Sequence, residues 1–161
     1  MGYFTQAQIC MNGHTITSDI QGHPEKNKRF CSKCGSAAMD CCENCKSPIN
    51  GLHINPGYIT IRAYKPPSYC PECGEAYPWT SAKIAALIEL AKMEEVLSDE
   101  EVEVFSSHVK DISSDTPNTV VSANKLIKFG KKFGARAWGE IRMLLVEIAS
   151  ETAKKILLDK G

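Results

Sequence analysis

Five of the chain's eight cysteines lie between positions 30 and 45, in the stretch FCSKCGSAAMDCCENC. Cysteines two residues apart in a tight turn direct both sulfurs to one side, which is the usual arrangement in a structural zinc site. All eight cysteines lie between positions 10 and 73, and three of the four histidines share this half of the chain. The pattern therefore predicts metal binding by soft thiolate and imidazole ligands.

Four ligand pairs recur along this half, in the stretches CMNGH, CSKC, CENC and CPEC. Sequential pairing assembles them into two tetrahedral sets. The first set is Cys10, His14, Cys31 and Cys34, and the second is Cys42, Cys45, Cys70 and Cys73. Each set is a closed shell of four protein ligands, so we expect two structural Zn2+ ions per chain and no catalytic metal. Iron–sulfur clusters are the alternative, but four separate pairs across long loops suit mononuclear zinc better.

Cys41 is the cysteine left over. Cys42 lies two residues before Cys45, as in the other CxxC pairs, whereas Cys41 would leave a wider gap. We interpret Cys41 as a small, partly buried residue, with a redox or nucleophilic role as the alternative. His23, His53 and His108 are not expected to be ligands, and no residue is assigned a catalytic role.

Several of these stretches resemble a known family. QICMNGH, FCSKCG, CENCKSPINGLH and YCPECGEAYPWT are similar to the signature of a bacterial zinc-ribbon family catalogued as a domain of unknown function, over roughly residues 3–90. The resemblance implies the same eight metal ligands and implies no activity. It also marks further family features, which are Pro48, Ile49, Gly51, Tyr77, Pro78 and Trp79. We expect the C-terminal helices to lie outside the resemblance.

The composition changes near residue 80, because no cysteine follows and helical periodicities begin. We expect a small α+β protein, with tandem zinc ribbons and short β-hairpins in residues 1–79 and an all-α region in residues 80–161. The β-like runs of the first half are YFTQAQIC, HTITSDI and YITIRAY. No signal-peptide pattern opens the chain and no apolar run is long enough to cross a membrane, so a cytoplasmic protein is expected.

Three helical segments are predicted in the second half. Thr80 is predicted to cap the first, and SDEE at 98–101 is a capping box for the second. Thr116 and Pro117 are predicted to start the third, which runs to about Leu158. It either breaks near a glycine (Gly130, Gly134 or Gly139) or extends to another subunit. Its apolar stripe consists of Leu126, Phe129, Phe133, Ala137, Ile141, Leu144 and Ile148.

Charge is balanced overall, with 19 basic and 19 acidic residues, but it is segregated in the second half. Residues 80–115 hold three basic and nine acidic groups, and residues 116–161 hold nine and four. A predicted basic face on one side of the third helix comprises Lys125, Lys128, Lys132 and Arg136. The preferred interpretation is that this face neutralises the acidic helices, within or between subunits. The alternative is contact with nucleic acid phosphates.

No catalytic constellation is recognisable, so we expect a protein that is not an enzyme. The best reading is a zinc-binding adaptor that engages an unidentified protein partner and self-associates through its helices, most simply as a dimer. The alternative is a nucleic-acid-binding protein that uses the zinc ribbons and the basic face. No membrane association is expected.

Overall fold

The computed structural model describes residues 1–59 and 63–160. Its contacts divide the chain into two compact units, Met1–Ser81 and Ala82–Gly161. Short antiparallel strands occupy the first unit, and helices fill the second. The small α+β architecture expected from the sequence is confirmed.

In the part of the first unit that the structure describes, five strands form two small sheets. They are β1 (Tyr3–Gln6), β2 (Gln8–Cys10), β3 (Thr15–Thr17), β4 (Ala38–Met39) and β5 (Asn50–Ile54). β1 pairs with β5, and β2 lies between β3 and β4, with every pairing antiparallel. The two-residue β4 was not predicted. The predicted run YITIRAY includes residues 60–62, which lie outside the described residues.

A small apolar core holds the first unit together. Ile9 and Ile49 are fully buried, and the rings of Tyr77 and Trp79 stack with their centroids 4.7 Å apart. The Trp79 indole N–H donates to the carbonyl oxygen of Pro67 at 2.9 Å. The buried cysteines Cys42 and Cys70 belong to the same cluster, so two of the four predicted ligands of the second site are part of this core.

Five helices follow, namely α1 (Pro78–Met93), α2 (Asp99–Ile112), α3 (Thr119–Gly130), α4 (Ala135–Ile148) and α5 (Glu151–Asp159). The capping box at the start of α2 is confirmed, with Ser98 and Glu101 exchanging hydrogen bonds. The other two predicted caps are wrong. α1 begins before Thr80, whose hydroxyl donates instead to the carbonyl of Ser68 at 2.8 Å. Thr116 belongs to a turn that precedes α3, where its backbone N–H donates to the Thr119 hydroxyl at 2.8 Å.

The long third segment breaks rather than extends. α3 ends at Gly130, and α4 begins after Gly134. A Cβ atom at Gly130 would lie 2.4 Å from the Trp138 ring, so glycine lets the start of α4 pack against the end of α3. A second, unpredicted break separates α4 from α5, where the Ser150 hydroxyl accepts a hydrogen bond from the Ala153 N–H at 3.4 Å.

The apolar stripe packs into the core of its own unit. Leu126 and Ile141 are fully buried, and Phe133 and Ile148 belong to the same cluster. Phe129, Ala137 and Leu144 pack against it. Breaking the segment folds the stripe back on α2 and α5, so it does not offer the uncovered surface from which a dimer was predicted. Self-association stays a prediction without that argument.

Candidate metal centres

The first predicted ligand set is brought together in the first unit. The Cys10 sulfur lies 3.5 Å from His14 Nδ1 and 3.7 Å from the Cys34 sulfur, and the Cys31 sulfur lies 3.7 Å from His14 Nδ1. All four ligand atoms lie within 4.8 Å of one another. The His14 backbone N–H also donates to the Cys10 sulfur at 3.3 Å, which stabilises negative charge on that sulfur.

The second set converges in the same way. The Cys42 sulfur lies 3.8 Å from that of Cys73, and the Cys45 sulfur lies 3.6 Å from that of Cys70. These four sulfurs also lie within 4.8 Å of one another. In both sets the first cysteine of a CxxC pair is buried and the second is exposed. Each site therefore lies at the edge of the unit, with one side against protein and the other near solvent.

These separations match those of a tetrahedral zinc site. Zinc–sulfur bonds of about 2.3 Å at tetrahedral angles place two sulfurs about 3.8 Å apart, and a sulfur and an imidazole nitrogen about 3.5 Å apart. The sulfur pairs observed here span 3.6 to 3.8 Å, and the sulfur–nitrogen pairs 3.5 and 3.7 Å. The two sets could thus bind two metal ions, one each, with all four positions filled by protein.

One backbone hairpin, which we call the knuckle, holds each CxxC pair. The backbone N–H four residues after the first cysteine donates to that cysteine's carbonyl, and the cysteine's own N–H donates to the carbonyl five residues on. The first of these positions adopts positive φ in all three knuckles, at Gly35, Lys46 and Gly74. Glycine takes this conformation without steric cost, and Lys46 is the exception.

An isolated bridge closes each knuckle, and it explains Cys41. The bridges pair Phe30 with Ala37, Cys41 with Pro48, and Tyr69 with Ala76. Cys41 thus occupies the position that Phe30 and Tyr69 hold in the other two knuckles, which is not a ligand position. It is partly buried, and burial, followed by the charge of Asp40, raises the pKa of its thiol. A nucleophilic cysteine needs the opposite shift.

Two serines that were not predicted support the exposed ligands. The backbone N–H and hydroxyl of Ser36 lower the pKa of Cys34 to about 5. The hydroxyl and backbone N–H of Ser47 lower the pKa of Cys45 to about 6, with the hydroxyl 3.1 Å from the sulfur. Both thiols therefore favour the thiolate form that a metal requires. In two of the three CxxC pairs a serine lies two residues after the second cysteine. This recurrence is the sequence signal from which the support could have been predicted.

The remaining histidines lie outside both sets. His23 lies 3.3 Å from the Glu25 carboxylate, and the His53 ring packs against Phe4. His108 is buried on α2, where its Nδ1 lies 3.1 Å from the Ser122 hydroxyl.

The predicted basic face does not lie on one continuous helix, because the helix that carried it breaks. Lys125, Lys128 and Lys132 still line one shallow cleft, which Glu101 shares. Lys125 and Lys128 belong to α3, Lys132 to the following loop, and Arg136 to α4. Lys132 contacts Glu101 at the start of α2, and Arg136 lies 3.5 Å from Glu140. The contact with α2 agrees with the preferred interpretation, in which these cations neutralise acidic helices.

The fold and the two ligand sets define a small α+β protein with two Cys/His clusters, each of which could hold a metal ion. The chain belongs to the bacterial family described as "uncharacterized protein conserved in bacteria (DUF2321)", whose profile matches residues 3–157. The match includes the helices, so the expectation that they lie outside the family is wrong. No curated protein and no solved structure matches the chain. Among the described residues, no helix combines the length and apolar character that a membrane span requires.

Proposed function

We propose that the protein is a non-enzymatic adaptor whose first unit is held together by two structural Zn2+ ions. The observation that carries the proposal is the closed ligand shell of each set, in which protein atoms fill all four tetrahedral positions. A catalytic zinc needs a position open to water or substrate. Three or four thiolates per site favour zinc over magnesium or calcium.

Metal analysis tests the zinc assignment. Purified protein should carry about two zinc ions per chain, and Cys42→Ser should lower the count to about one. Cys41→Ser is the matched control, because it changes the neighbouring cysteine outside the ligand set, and it should leave the count at about two. One metal per wild-type chain, mostly iron, or a loss of metal on Cys41→Ser would contradict the assignment.

A buried polar group in the second unit fits a structural role better than a catalytic one. The Ser122 hydroxyl donates to Asp111 at 2.8 Å and lies 3.1 Å from His108 Nδ1. A serine nucleophile must instead give its proton to the histidine. Ser122 is only 1% exposed, so no substrate reaches it. This geometry supports a hydrogen-bond network that joins α2 to α3.

A groove in the first unit supports binding of a protein partner. It encloses about 730 Å³, and its described lining is rich in aromatic and proline side chains. Among them are Phe4, Tyr58, Ile59, Tyr64, Pro67 and Tyr69. Tyr58 and Ile59 are 82% and 91% exposed and lie in the same groove, and a contiguous exposed apolar surface is typical of an interaction site. Aromatic-lined grooves of this kind bind extended peptides.

Affinity capture from a bacterium that carries the gene tests this function. A Tyr58→Ser, Ile59→Ser double variant should lose a protein that the wild type captures, because the groove loses its exposed apolar wall. Val121→Ser is the matched control, since it removes an exposed apolar side chain from α3 and should retain the same protein. Equal capture by both variants would contradict the groove as the docking site. Light scattering of the wild type tests the predicted dimer separately.

A further inference from the structure

A cluster of cations lies on the first knuckle and the segment that leads into it. Lys26, Lys28, Arg29 and Lys33 are all exposed, and within the described part of the chain none of them forms an ion pair. The nearest acid in sequence is Glu25, whose carboxylate lies 3.3 Å from His23. Glu25 lines the same cleft as three of these cations and interacts with Lys26. Four cations within eight residues against this one acid create a local positive potential in a chain with no net charge.

The same unit carries the opposite charge on its other two knuckles. Positions 40–46 and 70–75 hold four acidic residues and a single basic one, Lys46. The acidic residues are Asp40, Glu43, Glu72 and Glu75. A polyanion would therefore be attracted to the first knuckle and repelled by the second and third. This segregation favours one defined contact surface over diffuse attraction.

The segment that carries these cations also carries an aromatic side chain, Phe30. Phe30 is 60% exposed, although its backbone is fixed by the bridge to Ala37. Its ring lines a cleft of about 300 Å³ together with Lys26, Lys28 and Lys33. The size is at the lower end of small-ligand sites. Cys31, a ligand of the first metal set, lies in the same cleft, so the metal site and this surface share one piece of backbone.

The backbone beneath the cations is held in place. The Lys28 N–H donates to the Gln8 side chain at 2.9 Å, and the Arg29 carbonyl accepts from the Ala38 N–H at 3.0 Å. These contacts attach the segment to the sheet formed by β2, β3 and β4. Binding would therefore order side chains rather than backbone, which lowers its entropic cost.

We propose that Lys26, Lys28, Arg29, Phe30 and Lys33, here called the first-knuckle surface, bind single-stranded nucleic acid. The cations contact backbone phosphates, and an unpaired base stacks on the exposed face of Phe30. A single strand is favoured over a duplex because duplex bases are stacked on each other and cannot reach the ring. It is favoured over an anionic membrane because one ring inside a cleft gives little apolar area to insert. This inference does not depend on the proposed adaptor function.

Fluorescence polarisation with labelled 12-nucleotide single-stranded DNA and RNA tests the proposal on the full-length, zinc-loaded chain. Four phosphate contacts at about −0.7 each predict a slope of about −3 for log K against log salt concentration. Phe30→Ala should weaken binding about 5- to 100-fold and leave that slope unchanged. Lys28→Gln should make the slope shallower by about 0.7. Glu25→Gln should tighten binding, because it removes a negative charge from the cleft.

Controls separate this surface from general charge effects. Lys128→Gln removes an exposed cation from α3 and should change neither affinity nor slope. All substituted side chains are exposed, so zinc content and circular dichroism should match those of the wild type. The proposal is overturned by an absence of binding at about 50 mM salt, or by an unchanged affinity in Phe30→Ala. Tighter binding to phosphatidylserine vesicles or equal competition by polyglutamate would also overturn it, because either would show charge attraction alone.

Discussion

Substituting Gly74 with alanine tests how backbone conformation in a knuckle controls metal affinity at one site. Gly74 has a φ of 74°, and a Cβ atom built there meets nothing within 4 Å. The alanine methyl group therefore causes no clash, and its cost comes from the left-handed conformation, about 1–2 kcal/mol. A gain of about 0.4–1 kcal/mol from the stiffer unfolded chain offsets part of this cost. The net loss is about 1 kcal/mol, so zinc should bind about fivefold more weakly at the second site.

Lys46 provides the reverse test at the equivalent position of the other knuckle in the same site. Its φ is 63°, so Lys46→Gly relieves a similar conformational cost. The change also loses a hydrogen bond from Lys46 Nζ to the Glu43 carbonyl, 2.7 Å long and exposed, worth about 0.5 kcal/mol. Glycine also gives the unfolded chain more conformational entropy than lysine does, which favours unfolding. This entropy and the lost hydrogen bond together offset most of the stability gained by relieving the conformational cost. We expect zinc affinity between unchanged and about threefold tighter.

Competition against a fluorescent zinc chelator measures both variants. Gly35→Ala is the control, because it makes the same change at φ 72° in the first site and should leave the second site's affinity unaltered. The reasoning is refuted if Gly74→Ala binds zinc as tightly as the wild type. It is equally refuted if Lys46→Gly weakens binding more than Gly74→Ala does, since the two changes would then act through something other than φ.

Three further predictions concern the two units. A strong chelator should unfold residues 1–79 and leave most of the far-UV helical signal, because no ligand lies beyond Cys73; loss of all helix would contradict this. Ile141→Asp buries an unpaired carboxylate and should abolish cooperative thermal unfolding of the helical unit, whereas Val121→Asp, at an exposed site, should shift the midpoint little. Burial and the charge of Lys125 lower the pKa of His108, although Asp111 opposes them, so helical stability should fall once the pH drops below the ordinary value of 6.5. The unfolded chain then binds a proton that the folded one excludes, and His108→Gln should flatten this dependence in urea titrations.

The two candidate ligand sets were predictable from the sequence because CxxC spacing fixes local geometry. A two-residue gap at a tight turn forces both sulfurs to one side, whatever the rest of the chain does. The capping box at Ser98 was predictable for the same reason, since its two hydrogen bonds span only three residues. The support from Ser36 and Ser47 is equally local. This support was not predicted, because serine is common in turns for reasons unrelated to a neighbouring thiol.

The helices of the second half were harder to predict, because the residues at which they end depend on contacts with residues distant in sequence. Periodicity from Leu126 to Ile148 predicted one apolar stripe, but periodicity does not report where a helix stops. The break after Gly130 depends on packing against Trp138, and the one at Ser150 accompanies a hydrogen bond from its N–H to the Ile112 carbonyl. Gly130 was one of three glycines at which a break was predicted as possible, but the local sequence does not show the contact with Trp138 that selects it, and it gives no sign of the break at Ser150. The predicted dimer surface and the single basic face both assumed an unbroken helix.

The three knuckles share one backbone structure but carry different side chains. Each repeats the same backbone hydrogen bonds around a CxxC pair, so these bonds do not depend on which side chains occupy the positions between and beside the cysteines. Those positions differ sharply, because the first knuckle is basic and the other two are acidic. The bridge position differs as well, since it carries Phe30, Cys41 and Tyr69 in turn. Cys41 is therefore the fifth thiol of the crowded stretch because it is the side chain at the bridge position of the second knuckle. Differences among the knuckles, rather than their shared ligands, are where binding specificity should be sought.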